Sequence, residues 1–503
     1  ILFEYLKRNK NTFFGKQYDF ASVKTVKDYQ EKVPVGDPES FYPFMERMAE
    51  GEDNLLTADK PVYFGLTSGT TSRSKMIPVT AHSRAKKKEV TDIWAYYINR
   101  DHPGISRGKV LAVVNTAVKG FTASGVPFGA ETGYGYNTLS KAFKGLYAVP
   151  GTVFDIPDYE ARYYCVLRIA AGENITSIAT PTPSTVNLLS RRLAEWQEKI
   201  IKDIENGTLN QNMDIPAGIR EKLEKNLRPD KKRALELRAI INNSNNKKLI
   251  PKNVWPALEL IECWKGGNLT LYLKQFPEYF GDIPVRDFGY LATEARCSIP
   301  FRDEGADGVL AVFTNFYEFI PREDGEKKKK RTLLCDQVEK GKEYFIVLTT
   351  PGGLYRYNID DIVRVTGFYN KAPLIEFVQR GLNSISLAGE KLYESQVGRA
   401  VNSAAEEQGA CIEFFSAHVQ WDQPPRYVFL VEFRQELTAG KKKEFLSRIE
   451  KELCRLNVLY EDKRKAHLLS PPALKVVRKG DFEKYRSEKA GGHSNDSQLK
   501  TPG

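Results

Sequence analysis

Between residues 308 and 380 the chain carries four apolar runs separated only by turn-forming or charged segments. GVLAVFTNFYEFIP (308–321) and YFIVLTT (344–350) are rich in β-branched and aromatic side chains, which suit a pleated sheet surface better than a helix. IVRVTGF and PLIEFVQR follow as two more strands, with FYNKAP between them as a turn. So dense a block of strands must build a sheet and bury one of its faces. Elsewhere strand-like and helix-like runs alternate. VLAVVN (110–115) reads as a buried strand. Residues 175–207 read as a strand, a proline-bearing turn at TPTPS, and one long amphipathic helix from Ser184 to just before Gly207. The fold class is therefore mixed α/β, with several sheets and helices in a large N-terminal part.

A boundary falls near residue 380, beyond which the pattern restarts on a smaller scale. A helix is predicted at 393–408, strands at 411–420 and 426–434, a helix at 441–457 and a strand at 473–478. This divides the chain into an N-terminal domain over 1–379 and a smaller α+β domain over 380–503. The polar, Lys/Asn-rich stretch 209–250 reads as short helices and loops on the surface.

Composition excludes more than it assigns. Six cysteines sit singly at 165, 263, 297, 335, 411 and 454, so neither a zinc site nor a disulfide framework is indicated. Five scattered histidines give no metal-ligand spacing. No apolar run reaches membrane-spanning length, and the opening ILFEYLKRNK alternates apolar with charged positions, unlike a signal peptide. The chain opens on Ile, which points to a trimmed upstream segment, and a cytoplasmic location is the default expectation. Seventy-five Lys and Arg against 64 Asp and Glu leave +11. The runs at 86–88, 327–331 and 441–443 read as solvated loops and helix faces, the second as a hairpin tip or mobile loop, and no module supports a nucleic-acid partner.

Chemistry enters at residues 67–75, TSGTTSRSK, where six hydroxyl side chains flank a Gly and end on a Lys. Backbone N–H groups reach a phosphate closely only where Gly permits it, and hydroxyls and a cation complete such a cradle. The stretch is not a Walker A loop, since the second Gly is missing and Met76 follows the Lys. Taken alone, it also fits a Ser/Thr-rich turn capping a helix.

Other segments follow in order: ECWKGGN (262–268), YLATE (290–294) and GLYRYNIDDIVRV (353–365). Together with TSGTTSRSKMIPVT they resemble the adenylate-forming superfamily. FYEFIP, LYRY followed by Asp, GFYNKAPLIEFVQR and the early VPV…ERMAEGE resemble, more narrowly, the Gretchen Hagen family of auxin-responsive acyl-acid amido synthetases. The resemblance runs from the FFGK segment to QLKTP at the end. It implies a large adenylation domain with a smaller mobile C-terminal domain, and ATP and Mg²⁺ as requirements. The substrates it implies are a small-molecule carboxylic acid and an amine, such as an amino acid.

By that resemblance Thr67, Ser68, Gly69, Thr70 and Thr71 donate to the ATP phosphates and Lys75 supplies a fixed cation. Gly266 and Gly267 lie along the adenine. Tyr290 faces it, with Trp264 as a second aromatic face. Thr293 contacts phosphate, Glu294 holds the metal ion, and Asp361 grips the ribose hydroxyls, with Asp360 as the alternative. Arg380 becomes a nucleotide contact or hinge residue, and Lys500 the mobile-domain lysine that meets the α-phosphate during adenylation. Departures from the family are Ser72 and Ser74 for Gly and Pro in the loop, ATE for SSE, and Asp360 for the Gly before the ribose-binding Asp. They leave open two other readings: an acyl-CoA or other adenylate-forming ligase, and a catalytically degenerate nucleotide-binding relative.

Overall fold

The computed structural model describes residues 1–66, 76–114, 118–266, 269–325, 327, 330–381, 384–385, 387, 390, 392–422 and 424–482. Two compact units divide the chain. The first comprises Ile1–Lys265 and Lys274–Phe377, the second Gly266–Leu273 and Val378–Gly503.

Among the described residues the first unit holds three sheets. The largest has six strands in the spatial order Phe316–Pro321, Glu343–Thr349, Tyr357–Tyr369, Ala372–Arg380, Gly308–Leu310, Ser298–Ile299. A four-stranded parallel sheet runs Lys109–Ala112, Ile175–Ala179, Leu260–Glu262, Val285–Arg286. The third is formed by Met76–Thr80, Pro61–Leu66, Pro127–Gly129 and Gly120–Phe121.

The N-terminal helices Leu2–Asn9, Phe13–Gln17, Val26–Lys32 and Pro38–Glu50 pack their apolar stripes on the six-stranded sheet. Phe14 stacks on Tyr355 with centroids 5.1 Å apart, and Phe41 meets Tyr357 edge-on at 5.2 Å. Burying such a ring stabilises by about 2–3 kcal/mol. These contacts fix the start of the strand Tyr357–Tyr369, which carries part of the candidate site.

Two predicted elements are broken in the structure. The long helix after TPTPS is two helices, Pro183–Glu195 and Gln197–Asn206, interrupted at Trp196. That indole is buried edge-on against Tyr164 with Arg192 over its ring, so tertiary packing, not a Pro or Gly, sets the break. The predicted strand 308–321 is also two. Gly308–Leu310 lies beside Ala372–Arg380, whereas Phe316–Pro321 lies at the far edge beside Glu343–Thr349. Between them Val312 and Phe313 turn outward, and the Thr314 N–H closes back on the Ala311 carbonyl at 3.2 Å. The strand predicted at 110–115 ends at Ala112. The stretch 209–250 is less superficial than predicted: Lys231–Asn243 forms a helix whose Ala234 and Leu237 are fully buried.

The second unit sets helices Glu394–Gln408 and Ala439–Leu456 with a sheet of Ile412–Gln420, Arg426–Phe433 and Ala473–Val476. It has its own core around Val401, Phe429, Phe445 and Leu453. These elements match the predicted ones in type and order.

Candidate active site

Residues 289–296 fold back on themselves. Leu291 and Arg296 form a short antiparallel bridge, and the Ala292 N–H donates to the Ala295 carbonyl at 2.9 Å. Thr293 and Glu294 therefore sit at the tip of a tight turn. Gly289 enters it at φ +80°, and a Cβ there would lie 2.4 Å from the Ser298 carbonyl oxygen, so only Gly fits.

The turn exchanges hydrogen bonds with the strand Tyr357–Tyr369. The Tyr290 hydroxyl donates to Asp361 Oδ2 at 2.7 Å, and the Tyr357 hydroxyl donates to Glu294 Oε1 at 3.3 Å. Each segment thus supplies one tyrosine and one carboxylate to the other. Burial first, then the Asp361 carboxylate, pushes the Tyr290 phenol well above its ordinary range, so it stays a donor. Its ring is stacked on Phe377, 6.0 Å between centroids.

Asp361 is re-aimed by an irregularity in pairing. Phe345 lies opposite Ile362 and Val347 opposite Asn358, so extra residues bulge out of the strand around Asp360. Asp360 adopts φ +66°, the left-handed region that favours glycine. This is where the resembled family carries Gly, and the substitution keeps that backbone shape.

Beneath the turn a second carboxylate acts as a clamp. Asp287 accepts from the Lys265 and Gly289 backbone N–H groups, both at 2.6 Å. Burial pushes it up to about 6 despite those two donors. Trp264 is tied to the same place, its indole N–H donating to the Gly289 carbonyl at 3.1 Å. That bond uses the indole as a brace between the ECWK and turn segments.

The strands bracketing the hydroxyl loop are Pro61–Leu66 and Met76–Thr80, paired antiparallel with Leu66 opposite Met76. A Cβ on Gly65 would sit 2.5 Å from Thr293 Cγ2, so the strand leading into the loop passes directly against the turn. The loop residues Thr67, Ser68, Gly69, Thr70, Thr71 and Lys75 lie outside the described residues, as do Gly267 and Lys500. Gly266 belongs to the second unit, and Arg380 ends the strand Ala372–Arg380, whose residues from Val378 on are counted with that unit.

Glu294 is buried and, among the described residues, forms no ion pair. It lines a small recess with Ser83, Lys86, Lys87, Ala295, Arg296, Thr314, Asn315 and Pro351, and the basic groups there are partnered elsewhere, Lys86 with Glu89, Lys87 with Glu131 and Arg296 with Thr91. Among the described residues this carboxylate accepts one long hydrogen bond, and a lone carboxylate suits a hard cation such as Mg²⁺ only where nucleotide phosphates supply the other oxygens.

Sequence reasoning missed Lys87, read as part of a solvated run. It lies on the helix Ala81–Asp101 with its side chain 17% exposed, and donates to Glu131 at 2.5 Å and to the Thr293 carbonyl. A signal was present. Lys86 pairs with Glu89 and Lys88 with Asp92 on the same helix, while Val90 and Thr91 stand at the corresponding spacings from Lys87. The middle lysine was the one with no acid ahead of it.

Comparison with known proteins identifies the family. The GH3 family N-terminal domain matches residues 1–285, the central domain 308–380 and the C-terminal domain 395–503. The chain belongs to the GH3 family. The indole-3-acetic acid-amido synthetase GH3.3 of Arabidopsis thaliana is 26% identical over 526 residues, covering 100% of this chain and 88% of that protein. The jasmonoyl-L-amino acid synthetase JAR4 of Nicotiana attenuata is 26% identical, covering 99% and 89%. The solved structure of the GH3.15 acyl acid amido synthetase superposes with a TM-score of 0.87 at 24% identity, covering 100% of this chain and 89% of that one. Among the described residues no helix is long and apolar enough to cross a membrane.

Proposed function

We propose that this protein is an ATP-dependent acyl-acid amido synthetase. A carboxylate oxygen of the acid attacks the α-phosphorus of ATP, the bond to the β-phosphate oxygen breaks, and pyrophosphate leaves. An amine nitrogen, that of an amino acid, then attacks the acyl carbon. The amide forms, AMP departs with the bonding pair, and the amine releases a proton.

The observation that carries this reading is the reciprocal hydrogen bonding of Tyr290 to Asp361 and Tyr357 to Glu294. It rigidly couples the segment proposed for phosphate and metal to the one proposed for ribose. Positioning is most of what phosphoryl and nucleotidyl transfer asks of a protein. Asp361 offers an acceptor for ribose hydroxyls, and Thr293 a hydroxyl donor to phosphate. Glu294 would hold Mg²⁺, which when bound neutralises charge on the phosphate oxygens. Lys75 and the hydroxyls of residues 67–71 are assigned to the phosphates, Lys500 to the adenylation step, and Gly266, Gly267, Trp264 and Arg380 to the nucleotide, on the family resemblance.

The test is pyrophosphate release from ATP against a panel of carboxylic acids that includes indole-3-acetate and jasmonate. Amino acids or CoA are added in turn and products are read by mass spectrometry. Acid-dependent pyrophosphate with amide product is expected. Thioester with CoA would convert the reading to an acyl-CoA ligase, and no acid-dependent turnover would make this a degenerate relative.

A further inference from the structure

The ammonium of Lys87 ties the carbonyl of the turn carrying Thr293 and Glu294 to two helices, while Arg296, at the turn's end, reaches Thr91 on the first of them at 3.1 Å. Lys87 lies on Ala81–Asp101 and reaches Glu131, the first residue of the helix Glu131–Asn137, and the carbonyl of Thr293. The carbonyl it holds belongs to the peptide unit joining Thr293 to Glu294. Holding that oxygen fixes the orientation of the peptide plane, and with it ψ of Thr293 and φ of Glu294 at the tip of the turn. Glu131 in turn holds the lysine: its own side chain is only 26% exposed, and 44 residues separate the pair in sequence. The helix bearing Glu131 is itself anchored, since Tyr134 stacks on Tyr63 with centroids 3.8 Å apart and Arg84 lies over the Tyr134 ring.

We propose that Lys87, oriented by Glu131, is a positioning residue that presets the Thr293–Glu294 peptide for the metal–nucleotide complex. The proposal rests on the reading that Glu294 is the metal ligand. Lys87 grips the backbone beside that carboxylate without neutralising it: no ion pair joins the two, although both line the same recess. Outer groups that orient a metal ligand typically change metal affinity by about 10–100-fold when removed.

The experiment measures ATP binding by titration calorimetry with and without MgCl₂, on the full chain and on Lys87→Met, Lys87→Arg and Glu131→Gln. In wild type, Mg²⁺ is expected to tighten ATP binding. In Lys87→Met that tightening is expected to shrink about ten-fold or more, while Mg²⁺-free ATP affinity stays within about two-fold. Lys87→Arg should restore part of it, and Glu131→Gln, which keeps an acceptor, should lose less. Pyrophosphate release should fall in kcat more than in the KM for ATP. Unchanged Mg²⁺ dependence in a folded Lys87→Met protein, or a lowered melting temperature as its only effect, would overturn the proposal. If Lys87→Met fails to fold, Glu131→Gln decides by the same measure. Should wild type show no Mg²⁺-dependent ATP binding, the metal reading of Glu294 falls first and this proposal with it, an outcome distinct from a variant that merely matches wild type.

Discussion

The turn at 290–296 and the bulge at 357–361 each contribute one buried carboxylate, but they hold it differently. At the bulge, Asp361 takes a 2.7 Å bond from a deeply buried phenol. At the turn, among the described residues, Glu294 receives one 3.3 Å bond and no ion pair. Backbone shape differs as well. The turn depends on Gly289 and on the Asp287 clamp beneath it, whereas the bulge places a non-glycine residue, Asp360, at positive φ. The difference suggests a division of labour. On the roles proposed above, the carboxylate bonded to Tyr290 would receive the neutral ribose hydroxyls, and Glu294 would face the metal ion.

The largest expected effect separates the two by charge alone. Glu294→Gln keeps the shape and an acceptor for Tyr357 but removes the anion. Pyrophosphate release should fall by roughly 10²–10³-fold, with circular dichroism and melting temperature little changed, because the lost interaction is one the ion makes with developing phosphate charge. Near-normal turnover at saturating Mg²⁺ would erase the distinction drawn between the two carboxylates.

At Asp361 the expected effect is smaller and falls on binding. Losing a carboxylate that accepts from buried hydroxyls should cost about 2–3 kcal/mol in ATP affinity, which is roughly 30–150-fold in Kd. Asp361→Ala also strands the Tyr290 hydroxyl, so stability should drop by about 1–3 kcal/mol. Asp361→Asn retains an acceptor for Tyr290. It should keep most of the stability while still weakening ATP, and calorimetry beside urea denaturation reads both. Equal stability losses in the two variants would mean the tyrosine bond is not what holds the bulge.

How much of this was legible follows the same line between local and non-local causes. YLATE and NIDD could be found in the sequence because the chemistry of each is carried by contiguous residues. The second unit's helices and strands were legible for a related reason, since their periodicities are short and their ends lie near turn residues. The helix break at Trp196 was not, because what stops the helix is burial of an indole against Tyr164, 32 positions upstream in the numbering. Lysine triplets show the limit most plainly. At 441–443 the run lies in the first turn of its helix with Lys441 and Lys443 exposed, as a charged run ordinarily does. At 86–88 the same three letters include a lysine gripping a carbonyl 206 residues away. Local sequence marked Lys87 only by the missing acid ahead of it, and the fold is what shows the carbonyl it takes instead.

The smallest effect is expected at Asp360, where the backbone rather than the side chain is at issue. An L-residue in the left-handed region costs about 1–2 kcal/mol, less for Asp, whose short polar side chain bonds locally. Asp360→Gly relieves that cost but gives the unfolded chain more freedom, so the two terms nearly cancel and stability should shift by less than about 1 kcal/mol. Asp360→Ile, β-branched at φ +66°, has no such relief and should lose about 2 kcal/mol or more in urea denaturation. ATP affinity of the glycine variant should stay within about two-fold of wild type, since the carboxylate assigned to the ribose is the next one along. If Asp360→Gly instead weakened ATP more than Asp361→Ala does, the ribose would be gripped one residue earlier, and the Tyr290 bond to Asp361 would serve the fold alone.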